Sequence, residues 1–153
     1  MYYQEKKTIV TMLTGVLVLA AYCIYVYRKF QEGAVDLSID LKFWATTMLI
    51  FIGAGIVAII IILIIFHIIN AIVNEATKQE DNASMLEDEM DKLIALKSMR
   101  NSYAIVGLGF VLSLVSLVMQ MPLPVMINII YLSFNVGSIF EGISQLYFYR
   151  KGV

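Results

Sequence analysis

Long uncharged stretches divide this chain into a few apolar blocks. Residues 8–27, 43–74 and 101–140 carry no formal charge when His67 is counted as neutral. A helix needs roughly 20 apolar residues to cross the ~30 Å hydrocarbon core of a bilayer. The third stretch is long enough for two such helices, and its "QMPLP" segment at 120–124 favours a turn because it contains two prolines. The pattern therefore predicts four membrane spans.

We place these spans near 8–28, 45–70, 102–120 and 125–148, with a connecting segment at about 71–101. The apolar runs are continuous, and within lipid only helices and closed barrels satisfy all backbone hydrogen bonds. The predicted fold is all-α: a single integral membrane four-helix bundle with a short amphipathic helix between spans two and three. The composition agrees, because only 15% of the residues are charged, against about a quarter in a soluble domain.

Composition also narrows the function. Cys23 is the only cysteine and His67 the only histidine, which excludes an internal disulfide and a multi-cysteine metal site. The chain carries none of the short motifs of metalloproteases, serine hydrolases or nucleotide-binding loops. A net charge of −1 gives no reason to expect nucleic acid as a partner. We therefore expect a non-enzymatic protein without a cofactor or metal, with the lipid bilayer and other membrane chains as its surroundings.

Basic residues are distributed unevenly between the two sides of a four-span protein. The N-terminus, the 71–101 segment and the C-terminus share one side and hold eight of the eleven Lys and Arg. The other side has Arg28, Lys29 and Lys42. Positive residues near spans favour the cytoplasm. We therefore predict a multi-pass protein of the cytoplasmic (inner) membrane with both termini and the 71–101 segment inside.

The 71–101 segment has the pattern of an amphipathic helix. Ser84 followed by Glu87 fits a capping box, which predicts a helix start. Apolar residues then recur at roughly helical spacing and would form one stripe. This stripe either rests on its own bundle or the membrane surface, or docks a partner protein. The candidate docking residues are Leu86, Met90, Leu93 and Ile94.

Part of the same segment has a recognisable pattern. "DEMDKLIALKSMRNSY", residues 88–103, resembles the D-E-x-D-K-L-I-x-x-K-x-x-R-x-x-Y signature of small prokaryotic multi-span membrane proteins of uncharacterised function. In that family the signature also precedes a transmembrane span. Many members have a basic residue where this chain has Met90. The resemblance implies a bacterial or archaeal cytoplasmic membrane protein, and it implies no activity and no functional residues.

Polar side chains inside the predicted spans are the main candidates for a site. Glu141 lies in span four, about 13 Å along the helix from Arg150 at ~1.5 Å per residue. Ionisable groups in lipid are costly and usually face a bundle interior. His67 lies at a similar predicted depth in span two, so the two could share a polar layer. The predicted layer contains Glu141, His67, Asn70, Asn135, Ser138, Gln145 and Thr14.

Three functions remain open at this point. The leading interpretation is a small protein that acts through helix–helix contacts, as a homo-oligomer or as an accessory or regulatory subunit of a membrane system. The second is a small oligomeric ion channel or proton-coupled transporter that uses Glu141 and His67. The third is an immunity or resistance protein against a membrane-active agent. In the first case the polar layer only fixes helix register, and in the second it carries an ion.

Overall fold

The computed structural model describes residues 3–33, 40–77 and 89–151. It contains four α-helices, and each is long and apolar enough to cross a membrane. The four helices confirm the predicted all-α class for the described residues. Their stretches of high hydropathy confirm the predicted number of apolar helices. The bounds are α1 Tyr3–Glu32, α2 Leu41–Thr77, α3 Glu89–Val118 and α4 Leu123–Lys151.

Every helix is longer than the span predicted from its apolar residues, and α3 shows why this matters. It begins at Glu89 and runs without interruption to Val118, with Glu89 and Asp91 in its first turn, where acidic groups complement the helix dipole. Residues 89–101, part of the segment predicted to form a short amphipathic helix between spans two and three, are therefore the first part of α3. The predicted capping box at Ser84 and Glu87 lies outside the described residues.

The turn between α3 and α4 occurs where the two prolines predict it. Gln120 adopts a left-handed backbone with φ 57°. Its N–H donates to the Leu117 carbonyl at 2.9 Å, and the Met121 N–H donates to the Ser116 carbonyl at 3.0 Å. This pair of bonds is a Schellman motif, which ends a helix by satisfying its last carbonyls. Pro124 then lies in the first turn of α4, where its missing N–H costs nothing.

The helices pack as an open row in the order α3, α4, α1, α2. The α3–α4 pair has the most extensive contact, α1 packs on both α4 and α2, and α2 touches α4 only slightly. Within the described residues, α3 makes no comparable contact with α1 or α2. The four helices therefore form a bundle in which α1 and α2 lie on one side of an α3–α4 hairpin.

Small side chains line the α3–α4 contact and allow the two backbones to approach closely. Ser98 and Ser113 are fully buried, and Gly109 is buried between them on the same face. A Cβ added at Gly137 of α4 would lie 3.0 Å from Val106 and 3.1 Å from the Ser102 hydroxyl. Interfaces of this kind are typical of helix pairs in lipid, where close packing replaces the hydrophobic effect.

Aromatic side chains hold α1, α2 and α4 together near the end of the molecule that carries the α3–α4 turn, which we call the turn end. Tyr22, Trp44, Met48 and Tyr131 form a buried cluster. The Tyr22 and Tyr131 rings lie 4.6 Å apart, and the Tyr22 hydroxyl donates to Asn128 Oδ1 at 2.7 Å. Helices α1, α2 and α4 are thus packed closely together at the turn end.

Candidate functional site: a polar groove at the basic end

The opposite end of the molecule, which we call the basic end, is where α1 and α3 begin and α2 and α4 finish. Two side-chain contacts show which residues share a level there. The Tyr3 hydroxyl lies 2.6 Å from His67 Nδ1, which aligns the start of α1 with α2. The Thr8 hydroxyl donates to Gln145 Oε1 at 3.0 Å, which aligns α1 with α4. These contacts show directly which residues of α1, α2 and α4 lie at the same height along the bundle, which residue counting could only approximate.

A groove of about 270 Å³ opens at the basic end between α1, α4 and the first turns of α3. It forms because α1 and α3 flank α4 without packing closely against each other. Its rim carries Lys7, Asp91 and Tyr149, and its apolar wall includes Met12 and Ile139. The polar and small residues that line it are Gln4, Thr8, Thr11 and Gly15 from α1 and Ser138, Glu141 and Gln145 from α4.

Glu141 is the carboxylate inside this groove. It is half-buried and accepts a hydrogen bond of 3.4 Å from Gln145 Nε2. Glu141 lies about 6 Å further into the molecule than Gln145, at ~1.5 Å per residue. Since Gln145 is level with Thr8, next to Lys7, Glu141 is only about 7 Å below that basic residue by the same helix rise. Glu141 is therefore closer to the basic end than its separation of about 13 Å from Arg150 along the helix suggested.

The hydroxyl groups on the α1 wall have a defined direction. Thr8 donates its proton to Gln145 Oε1, and Thr11 donates to the Lys7 carbonyl at 2.9 Å. A hydroxyl that donates once keeps two lone pairs as acceptors. Together with the Glu141 carboxylate, these two hydroxyls place hydrogen-bond acceptors on α1 and α4, while Lys7 and Gln4 add donors to the lining. The part of the groove between Thr8, Thr11 and Glu141 can therefore accept hydrogen bonds from a ligand.

The structure separates His67 from this groove, contrary to the predicted polar layer. Its imidazole is exposed and bonds to Tyr3, and its ring lies 5.8 Å from the Tyr3 ring. Tyr3 precedes Lys7 by one turn of α1, so His67 lies at the outer edge of the basic end. The predicted depth was wrong because α2 extends further beyond its predicted span than α1 does.

Three other residues of the predicted layer also lie outside the groove lining. Thr14 is buried and donates to the Val10 carbonyl at 2.8 Å, within its own helix. Asn135 Nδ2 donates to the Tyr131 carbonyl, also at 2.8 Å and within one helix. Asn70 is half-buried on α2. The structure therefore brings together Ser138, Glu141 and Gln145 from the predicted set, and it adds partners from α1.

The α1 side of the groove was missed at Gln4, Thr8 and Lys7, although a sequence signal for it exists. Gln4, Thr8, Thr11 and Gly15 follow one another at steps of four, three and four, which places them on one helix face. Gln4 lies before the predicted first span and Thr8 is its first residue, so neither was included in the predicted polar layer. Asp91 could not have been found this way, because its position beside α1 depends on how α3 packs on α4.

The candidate docking stripe is divided by the same packing. Ile94 is 0% exposed and lies on the α3 face that contacts α4, so it cannot meet a partner. Met90 and Leu93 are each about half exposed, at 47% and 49%. Leu86 lies outside the described residues. Of the stripe, only Met90 and Leu93 are available as described surface.

In comparisons with known proteins, no family model, no curated protein and no solved structure matches this chain. The resemblance of residues 88–103 to a prokaryotic signature therefore stays a prediction. Among the described residues, no three His, Cys, Asp or Glu side chains are grouped as metal ligands.

Proposed function

We propose that this chain is a four-span membrane protein that acts through contacts with other membrane chains, without enzymatic activity, and that its basic end faces the cytoplasm. Four helices long and apolar enough to span a bilayer support the first part. These helices account for nearly all the described residues, so function has to reside on their surfaces. The excess of basic residues at one end supports the orientation.

The observation that carries the contact function is the projecting end of α2. This helix continues to Thr77, about 15 Å beyond the level of His67 at ~1.5 Å per residue. His67 is itself level with Tyr3, before the first basic residues of α1. In this projecting part Ile68, Ile69 and Ile72 are each more than half exposed, at 54%, 55% and 60%. All three belong to the part of α2 that is apolar enough to span a membrane, and an exposed apolar patch beyond the level of the neighbouring helix favours contact with another chain.

Site-directed cross-linking in intact membranes tests this proposal. In a Cys23→Ser background, a single cysteine at Ile69 is combined with a bifunctional thiol reagent. We expect a product at twice the monomer mass for a homo-oligomer, or a discrete heavier product for an accessory subunit. The matched control is a cysteine at Leu49, an exposed position near the turn end of the same helix, which should give much less product.

A tilted α2 that keeps the isoleucines in lipid is the competing arrangement. In that case the Ile69 cysteine reacts no better than the Leu49 cysteine and resists water-soluble maleimides. Absence of cross-links together with a strictly monomeric protein in mild detergent would contradict the contact function.

The ion-pathway alternative receives less support from the geometry. Glu141 and His67, its two predicted residues, do not line one groove. Toward the turn end, the space between α1, α2 and α4 is filled by the aromatic cluster around Tyr22 and Tyr131. The polar groove therefore lies at one end of a single chain, and a continuous path would require several copies. Proton flux into liposomes that disappears in Glu141→Gln would restore this alternative. No structural observation favours the immunity interpretation.

A further inference from the structure

We propose that the groove at the basic end binds a small organic ammonium ion, with the Glu141 carboxylate as its counter-ion. The inference is independent of the contact function, because it concerns a ligand for a single chain. Glu141 lines the groove from α4, and Asp91 and Lys7 line it from α3 and α1. The Glu141 carboxylate is half-buried, so its charge is screened less by water than that of an exposed carboxylate.

The hydrogen-bonding groups favour the same class of ligand. Glu141 can accept about four hydrogen bonds and has one long bond of 3.4 Å from Gln145. The Thr8 hydroxyl donates its hydrogen bond to Gln145, and the Thr11 hydroxyl donates to the Lys7 carbonyl, so both oxygens keep lone pairs that can accept. An ammonium group carries up to three N–H donors and no acceptor. Donors on the ligand thus meet acceptors on two facing helices.

The size and the apolar wall favour an organic cation over a bare metal ion. About 270 Å³ is far more than one water molecule's share of ~30 Å³, and it is close to the lower end of ligand pockets, which begin near 300 Å³. Met12 and Ile139 supply an apolar surface for a short hydrocarbon part. The rim residues Lys7, Asp91 and Tyr149 place the entrance at the basic end.

Residues of α1 and α4 fix the position of the Glu141 side chain. Thr8 orients the Gln145 amide by donating a hydrogen bond to Gln145 Oε1. Gln145 Nε2 then donates to the Glu141 carboxylate. Gly142, next to Glu141, allows Met12 of α1 to approach closely, since a Cβ there would lie 3.1 Å from the Met12 side chain. The carboxylate is therefore positioned by two helices before a ligand arrives, which reduces the ordering cost of binding.

Calorimetric titration of the full-length protein in detergent micelles tests the proposal, with empty micelles subtracted. Phenethylamine, which is protonated at neutral pH, is the probe, and phenethyl alcohol is its uncharged counterpart of similar shape. We expect the amine to bind, and the alcohol to bind about tenfold or more weakly, because charge-assisted hydrogen bonds are about twice as strong as neutral ones. Equal affinity of the two would overturn the proposal.

Glu141→Gln removes the charge while keeping the shape, and it should weaken amine binding about tenfold to hundredfold. Glu32→Gln makes the same change at the other end of α1, where Glu32 pairs with Lys29, and should leave binding unchanged. Amine affinity that is the same in Glu141→Gln and the unmodified protein refutes the site.

If Glu141→Gln does not fold, a second pair of variants decides. A Cβ at Gly15 meets nothing within 4 Å, so Gly15→Leu can fold while its side chain fills the groove. Gly53 of α2 is equally open, and Gly53→Leu is the matched control. We expect binding to be lost only in Gly15→Leu. Binding retained in a folded Gly15→Leu would reject the groove as the site.

Discussion

The α3–α4 pair and the α1–α4 pair use the same helix α4 in opposite ways. Toward α3, α4 presents Gly137 and Ser144 to a buried serine-rich face, and the backbones come close together. Toward α1, α4 presents Ser138, Glu141 and Gln145, which line a groove that the hydrogen bond between Thr8 and Gln145 crosses. The difference teaches that polar residues in an apolar helix have two roles. Small ones allow close packing, and longer ones line a groove and reach the neighbouring helix by a hydrogen bond.

The largest expected effect comes from filling the tight contact. A Cβ at Gly109 would overlap the Ser133 side chain of α4, so Gly109→Leu must separate the hairpin. Overpacking of this kind costs about 1–3 kcal/mol or more. We expect a clear loss of thermal stability in detergent, measured by tryptophan fluorescence or circular dichroism.

Two controls decide whether the effect is specific to the tight contact. Gly107→Leu, two residues away on α3, enters open space, and Gly15→Leu enters the groove on the α1 side. Both should change the melting temperature far less. If all three leucine variants are equally destabilised, the two sides of α4 do not differ in packing.

Next in size is the hydrogen bond that closes the turn end. Tyr22→Phe keeps the aromatic contacts with Tyr131 and Phe51 but removes the donor to Asn128 Oδ1. Asn128 is half-buried, so losing this bond should cost about 0.5–1.5 kcal/mol, the usual net contribution of a hydrogen bond. Denaturant unfolding should show this loss. Tyr27→Phe is the control, because Tyr27 is exposed and bonds to Gln31 at the surface; a similar loss there would argue against a specific contribution from the buried bond.

A gain in stability is expected inside the α3–α4 contact. Ser98 is fully buried, and its hydroxyl has no hydrogen-bond partner among the described residues. Ser98→Ala removes that unsatisfied group and keeps the small size that the contact requires, so stability should rise by about 1 kcal/mol. Ser138→Ala, exposed in the groove, should change little. A destabilised Ser98→Ala would mean that the hydroxyl has a partner in the folded protein.

The smallest effect is expected on the groove side. Thr8→Val keeps the shape of the side chain but removes its hydrogen bond to Gln145. Such bonds between membrane helices average about 0.6 kcal/mol. Stability should therefore change little, while amine binding weakens because Gln145 loses its orientation. A large stability change would show that this bond, and not packing, holds α1 on α4.

Much of the fold was predictable because it depends on local chemistry. Uncharged runs mark helices that suit lipid, and Pro122 and Pro124 mark the turn after α3. The groove was predictable in part, since Ser138, Glu141 and Gln145 lie at helical spacing on one face of α4. Its other wall was not, because the level of α1 against α4 is set by packing and by the Thr8–Gln145 bond.

His67 shows where counting along the chain fails. Depth was measured from the nearest charge, but α2 extends well past its predicted span, so His67 pairs with Tyr3 and not with Glu141. The sequence by itself determined the number of helices, their apolar character and the presence of a carboxylate in the last one. Only the tertiary structure decided which helices touch and which residues line a groove together with Glu141. Both depend on close contacts between residues that lie far apart in the chain.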